Sequence, residues 1–365
     1  MKHDKLKIVV TGTRGIPDVL GGVETHCQEL FPLIAEDDNL EITIIRRTNY
    51  NSCKENTYKG VSLVDIDSPK LKSLEAIIHT FKAVLYAKFK INADIIHIHA
   101  IGPAIMIPFA KLLGMKVVFT HHGFDYDREK WGKLAKIALK IGERLGTKYA
   151  DKVIVISNVI KSTLERKYKR FDLELIYNGV PEKSNKIDSE YLKLLNLENK
   201  KFILALGRFV PEKNFHHLIE AYKNIDNKDI ALVIAGDSII DDEYSLRLKT
   251  MAKDNDVILP GFIKGVKLST LLNEASLFVL PSSHEGLPIS MLEAMSYSLP
   301  IVASDIPSNM EVKLSNESYF SLGKIDELTK TINDKLINTP KLKYDLDKYN
   351  WHYIKDKTSI IYYNL

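Results

Sequence analysis

The 365-residue chain predicts an α/β protein made of two doubly wound, Rossmann-like halves. Short β-branched apolar runs alternate with amphipathic helical stretches, the alternation pauses once near the middle, and it then restarts with the same rhythm. The length suits two domains at roughly 150 residues each. With 45% hydrophobic and 27% charged residues the chain can bury a sizeable core, which excludes disordered and fibrous classes. The net charge of +4 gives no indication of a nucleic-acid partner.

In the first half the strand-like runs are LKIVVTG (6–12), EITIIRR (41–47), VSLVDID (61–67), ADIIHIH (93–99), KVVFTHH (116–122) and KVIVIS (152–157). Continuous apolar runs of this length suit parallel strands covered on both faces. Between them, GGVETHCQELFPLIAE and REKWGKLAKIALKIGERLGTKYA repeat apolar residues at helical spacing. After LELIYNGVPEKSN, with its Asn-Gly turn and Pro, a polar stretch reaching Lys201 reads as the linker. The second half supplies KFILALG (201–207), IALVIAG (230–236), DVILPGF (256–262), SLFVLPS (276–282) and PIVASD (300–305) as further strands. The expected domains are 1–180 and 181–350, with a closing helix at 351–365 anchored by Trp351, Ile354, Ile360 and Ile361. The pattern alone does not identify which domain that helix joins.

Only Cys27 and Cys53 occur, and the first residues pass straight into a strand-like run, which fits a reduced, cytoplasmic protein. The apolar region from Ile101 to Phe119 is broken by Pro103, Pro108, Lys111, Gly114 and Lys116, so any membrane contact is expected to be peripheral.

Ligands of open α/β sheets bind beyond the carboxyl ends of strands, so the residues there matter most. GTRGIPDVLGGVE follows the first strand, with Gly12, Gly15, Gly21 and Gly22 ahead of a helix. Such a loop can bring backbone N–H groups to an anion, or serve as an ordinary turn. It is neither GxGxxG nor a Walker A loop, and the second strand ends in Arg46 and Arg47 where a dinucleotide ribose needs an acid, which disfavours an NAD-dependent dehydrogenase. In ALGRFVPEKNFHHLIEAY, Arg208 and Lys213 converge on one strand end. They suit a diphosphate, or alternatively are two solvated cations. In SSHEGLPISMLEAMSYSLPIVASDIP, Leu287, Ile289, Leu292 and Met295 mark an apolar helix face, with Glu285 just before the helix. Glu293 follows Pro288 by roughly 7.5 Å along the axis. The two carboxylates can address a sugar and a ribose, or be a helix-end acid and a solvated position. His97, His99, His121 and His122 cluster at strand ends, but without HExxH or CxxC spacing a metal is not expected, and one histidine positioning a hydroxyl is the better functional reading.

In their order and spacing these motifs resemble the retaining glycosyltransferases of family 4, whose GT-B architecture sets two Rossmann-like domains across an interdomain cleft. The resemblance spans nearly the whole chain and is carried by EGLPISMLE, GRFVPEKN and GGVE. It implies that Glu285 meets the transferred sugar, Glu293 the ribose, and Arg208 with Lys213 the leaving diphosphate. Gly286 and Leu287 would belong to the donor-binding stretch, Gly21 and Gly22 to the loop over the donor, and Gly261 to Lys264 to the surroundings of the base. THHGFDYDREKWG resembles the TxHGxDxxRxKW pattern of a bacterial polysaccharide-building subgroup, which makes His122, rather than His121, the cleft histidine. The helix around Trp351 is implied to join the first domain.

The implied activity is metal-independent, cofactor-free transfer of a hexosyl or related sugar, with retention. The donor is a UDP-, GDP-, dTDP- or ADP-sugar, and the acceptor a hydroxyl of a saccharide or lipid-linked glycan in surface polysaccharide synthesis. The catalytic set is Glu285, His122, Arg208 and Lys213. Alternatives are a GT-B epimerase or phosphorylase and a non-catalytic nucleotide-sugar-binding protein. PKLKSLEAIIHTFKAVLYAKFK, with Lys70, Lys72, Lys82, Lys88 and Lys90, can rest on the inner face of the cytoplasmic membrane, or be an ordinary domain helix with solvated lysines.

Overall fold

The computed structural model describes residues 5–51, 55–69, 74–128, 131–227, 229–238, 241–338 and 342–365. The chain divides into two compact units: unit 1 is Met1–Gly179 with Asp347–Leu365, and unit 2 is Val180–Leu346.

Unit 1 is built on β1 (Leu6–Thr11), β2 (Leu40–Arg47), β3 (Thr57–Tyr58), β4 (Val61–Ile66), β5 (Ile95–His99), β6 (Lys116–His121), β7 (Lys152–Val155) and β8 (Leu173–Leu175). Their order in the sheet is β3-β4-β2-β1-β5-β6-β7-β8. All pairs are parallel except the β3–β4 hairpin. The β-branched runs explain this: Ile8, Val9 and Val10 are wholly buried, and Ile8 lies opposite both Ile42 and Ile95. Strand order reverses beside β1, so the carboxyl ends of β1 and β5 form the switch point where such sheets open a crevice. Gly12 makes the exit from β1 feasible. Its φ is +95°, and a Cβ there would lie 2.1 Å from the His99 carbonyl oxygen.

The helix Trp351–Tyr363 returns to unit 1, where Trp351, Ile354, Ile361 and Tyr362 share a core with Ile8, Leu30 and Phe31. Asn350 caps it, its side-chain oxygen accepting from the His352 N–H at 2.8 Å. Ile360, expected as an anchor, instead faces solvent at 57% exposure. Ile354, Thr358 and Ile361 stand at helical spacing and occupy the buried face, which turns Ile360 outward.

Unit 2 carries β9 (Phe202–Leu206), β10 (Ala231–Ala235), β11 (Leu277–Leu280), β12 (Ile301–Ser304) and β13 (Tyr319–Phe320), all parallel, in the order β10-β9-β11-β12-β13. Its switch point lies between β9 and β11. DVILPGF does not form the expected strand; it makes one isolated bridge, Ile258 beside Val233. Asp256 and Gly261 sit at φ 53° and 76°, and Pro260 has no N–H to give, so the segment bends away after one contact.

Candidate active site

In unit 2 the expected donor residues gather at the switch point. The chain leaves β9 through Gly207 and Arg208 and makes a 3-10 turn at Pro211–Lys213. Asn214, at φ 50°, then ties this turn to the end of β11 by donating from Nδ2 to the Pro281 carbonyl at 3.1 Å. The loop after β11 brings Glu285 to Lys213, with Nζ and Oε1 2.5 Å apart and the side chains only 16% and 11% exposed. Burial raises the Glu285 carboxyl, but the Lys213 ammonium, with Ser282 and His284, outweighs it and holds the group below its ordinary range. Glu285 is therefore a carboxylate at neutral pH.

The loop is braced from behind. Ser308 Oγ donates to the Glu285 carbonyl at 2.6 Å and Ser304 Oγ to that of Ser282 at 2.5 Å. The helix Ile289–Ser296, capped by Pro288, buries Met291, Leu292, Ala294 and Met295 and leaves Glu293 half-buried on its other face with Ser290. Leu287 is 4% exposed, so its side chain belongs to the core; Gly286 and Arg208 are half-buried. Gly261 accepts from the Gly236 N–H at 2.9 Å, just past the end of β10, which places the Gly261 to Lys264 loop at the outer edge of β10, on the side away from β9.

In unit 1, Gly21 and Gly22 start the helix Gly22–Ile34. Gly21 has φ +152°, and a Cβ there would meet a Glu24 carboxylate oxygen at 2.1 Å. That carboxylate is the part sequence reasoning missed. Arg14 forks onto it from Nε at 3.0 Å and Nη2 at 2.9 Å, and the Arg14 backbone N–H adds a third bond at 3.0 Å. Burial raises Glu24, yet Arg14 wins and holds it at about 2. The pair clasps the glycine-rich loop to the first helical turn; an acid in that turn and an arginine in the loop were the only signals. Arg46, one of the two arginines ending β2, forks onto Asp65 at 2.9 and 2.6 Å and is wholly buried, so its role is structural.

The histidines separate into distinct roles. His97 lies between the Tyr362 hydroxyl and Thr120 Oγ1, 2.6 Å from each. His121 Nδ1 accepts from the Gly123 N–H at 3.2 Å, and its Nε2 faces Glu143 at 3.3 Å. Glu143 is also held by Lys167 at 2.5 Å and Tyr168 at 2.6 Å. His122 turns the other way, its Nε2 2.9 Å from His99 Nδ1. The unexpected member is His26, from the helix Gly22–Ile34, whose ring lies 5.1 Å from that of His122. His26, His99 and His122 each offer a nitrogen within 4.8 Å of the others, and neither His26 Nδ1 nor His99 Nε2 has a hydrogen-bond partner. Burial holds all three well below the ordinary histidine range. They are neutral imidazoles near pH 7, able to accept from or donate to a hydroxyl. Cys27 is a buried free thiol, and Cys53 lies outside the described residues.

A family model described as "Glycosyltransferase Family 4" matches residues 20–183, and one described as "Glycosyl transferases group 1" matches residues 188–351. The chain is 28% identical over 370 residues to the UDP-Gal:alpha-D-GlcNAc-diphosphoundecaprenol alpha-1,3-galactosyltransferase of Escherichia coli, covering 93% of this chain and 91% of that one. It is 27% identical to the 2-deoxystreptamine N-acetyl-D-glucosaminyltransferase of Niallia circulans, over 69% of this chain and 71% of that one. In fold it matches sucrose-phosphate synthase of Thermosynechococcus elongatus with a TM-score of 0.82 at 18% identity, over 99% of both chains. It also matches Anabaena HepE, solved with UDP-glucose, with a TM-score of 0.79 at 18% identity, over 98% of this chain and 100% of that one. The motifs at the two switch points, the two parallel sheets and these matches together place the chain among the family 4-like glycosyltransferases of the GT-B fold.

Proposed function

We propose that the protein is a retaining, metal-independent transferase that moves a sugar from a nucleotide sugar to a hydroxyl of a saccharide or lipid-linked glycan in surface polysaccharide synthesis. The observation that carries this is the Lys213–Glu285 pair at the unit 2 switch point, flanked by Arg208 and followed by Glu293 at the family spacing. The E. coli relative is named for a UDP-sugar donor and a diphosphoundecaprenol-linked acceptor, and HepE was solved with UDP-glucose; both support a nucleotide-sugar donor here, and the first supports a lipid-linked acceptor.

Unit 2 is the donor domain in this reading, and unit 1, with the helix Trp351–Tyr363, the acceptor side. Glu293 accepts the ribose hydroxyls, Gly286 and Leu287 meet the donor through their backbone, and Glu285 holds hydroxyls of the transferred sugar. Arg208 and Lys213 neutralise the charge that grows on the leaving diphosphate, which is the task a divalent ion performs elsewhere. Because Lys213 already touches Glu285, one ammonium links the sugar-binding carboxylate to the diphosphate-binding pair. His122 positions a sugar hydroxyl as a neutral imidazole, and the amides of Gly21 and Gly22 close over the donor. A lipid-linked acceptor sets the place of work at the inner face of the cytoplasmic membrane.

Mass and NMR analysis of the products tests the reaction. The expected products are a nucleoside diphosphate and a glycan with the donor's anomeric configuration, formed undiminished in the presence of a chelator. A donor isomer or a sugar phosphate would instead indicate an epimerase or phosphorylase, and donor binding without nucleotide release a non-catalytic protein.

A further inference from the structure

Away from these residues, unit 1 carries a surface that its core does not require. The helix Lys133–Tyr149 turns Gly142, Glu143, Gly146 and Thr147 inward. It leaves Leu134, Ile137 and Ile141 in solvent at 84%, 54% and 45% exposure. These stand at i, i+3 and i+7, on one face. The helix's single acid, Glu143, is buried against His121, Lys167 and Tyr168, whereas Lys140, Arg144 and Lys148 are exposed. The outward face is apolar and cationic, with no exposed anion of its own.

A second segment extends it. Phe171 is 70% exposed, and its neighbour Arg170 donates to the carbonyls of Thr147 at 2.7 Å and Ala150 at 2.9 Å. Those bonds fix the segment against the carboxyl end of the helix, so the aromatic ring is presented on a braced backbone. Ile137, Ile141 and Phe171 line one concavity together with Lys140, Arg144 and Lys148. Asp172, the only carboxylate on its wall, is ion-paired with Arg170 at 2.8 Å.

We propose that this surface docks unit 1 on an anionic phospholipid bilayer. Aliphatic and aromatic tips enter the boundary between headgroups and acyl chains while the long cationic side chains reach lipid phosphates. A nucleic acid would use the cations and leave the isoleucines without a role, and a second copy would bring like charge against like. The proposal places the membrane contact at 133–149 and 169–171, a surface separate from the segment near residues 70–90. In the earlier segment Lys70 and Lys72 lie outside the described residues, and Lys82 is engaged with the Asp67 carbonyl at 3.0 Å. The docking rests on the transferase reading only for its purpose, which is to bring unit 1 to a lipid-linked acceptor.

Full-length protein is sedimented with vesicles of phosphatidylcholine alone and with vesicles containing about one-third phosphatidylglycerol, at low and high salt. The expected result is binding to the anionic vesicles that weakens with salt. Lys140→Glu with Arg144→Glu should lower partitioning by about 25-fold or more, taking about fivefold per cation near the surface. Ile137→Ser with Ile141→Ser should lower it by about tenfold or more. Equal binding to neutral vesicles, variants that bind like the wild type, or pelleting through self-association would each overturn the proposal. Nucleotide release with a soluble saccharide acceptor should be unchanged in both variants. Its failure in the wild type would count against the transferase reading and leave the vesicle result to be judged separately.

Discussion

Lys213 and Glu285 stand 72 positions apart in the chain and 2.5 Å apart in space, and their mutual pairing is what sequence alone did not disclose. The residue types and motif spacing were legible, so each received a separate role; that one neutralises the other depends on how the turn after β9 meets the loop after β11. In the proposed reading, replacing Lys213 by Ala removes a diphosphate cation, and it leaves Glu285 without the ammonium it pairs with. Turnover should fall about 10²- to 10³-fold, the range seen when one charge-stabilising group is lost. Steady-state nucleotide release checks this, and wild-type turnover by folded Lys213→Ala protein would remove Lys213 from the mechanism. His97 was legible as one of a histidine set but not as a structural member, because its partner Tyr362 lies 265 positions away. Its pKa is pushed down to about 3 and that of His79 to about 4, chiefly by burial. From about pH 6.5 downward the unfolded chain takes up protons that these folded imidazoles refuse, until the folded groups titrate near those lower values. Their neutral burial therefore costs no stability at pH 7 and destabilises the fold increasingly as pH falls, by about 1.4 kcal/mol per pH unit for each group. Denaturant midpoints measured from pH 7 to pH 5 should decline, and less steeply in His97→Asn protein.

At the level of elements, the strands the pattern found are those with long β-branched runs. Those it missed, β3, β8 and β13, have only two, three and two residues and offer no periodicity to read. DVILPGF misled for the opposite reason: it has the apolar run, but Asp256 and Gly261 adopt positive φ and interrupt pairing. The closing helix was legible as amphipathic, whereas the facing of each isoleucine required the packed structure. Ile354 is wholly buried and Ile360 is 57% exposed. Ile354→Ala should cost about 2–4 kcal/mol of stability and Ile360→Ala under about 0.5 kcal/mol. Thermal or chemical denaturation of the two variants checks this, and equal losses would show that the helix docks in another orientation. The Arg14–Glu24 clasp belongs to this scale too, since it joins a loop to a helix and leaves no periodic trace in the sequence.

For the whole molecule, two parallel sheets each end in a loop cluster at a switch point: glycines and histidines in unit 1, cations and carboxylates in unit 2. This division of chemistry was readable from the motifs, because strand ends in doubly wound sheets have a fixed relation to ligands. The donor's base, its sugar and the acceptor were not readable, since loop side chains far apart in sequence decide them. Calorimetric titration of the purified protein with UDP-, GDP-, dTDP- and ADP-sugars, alongside Glu293→Ala protein, goes to the root of the donor assignment. One nucleotide class should bind selectively, with affinity reduced about tenfold or more in Glu293→Ala protein, as for a lost charge-assisted pair of hydrogen bonds. If folded protein binds none of these donors, or Glu293→Ala protein binds as the wild type does, the donor site is not where it has been placed.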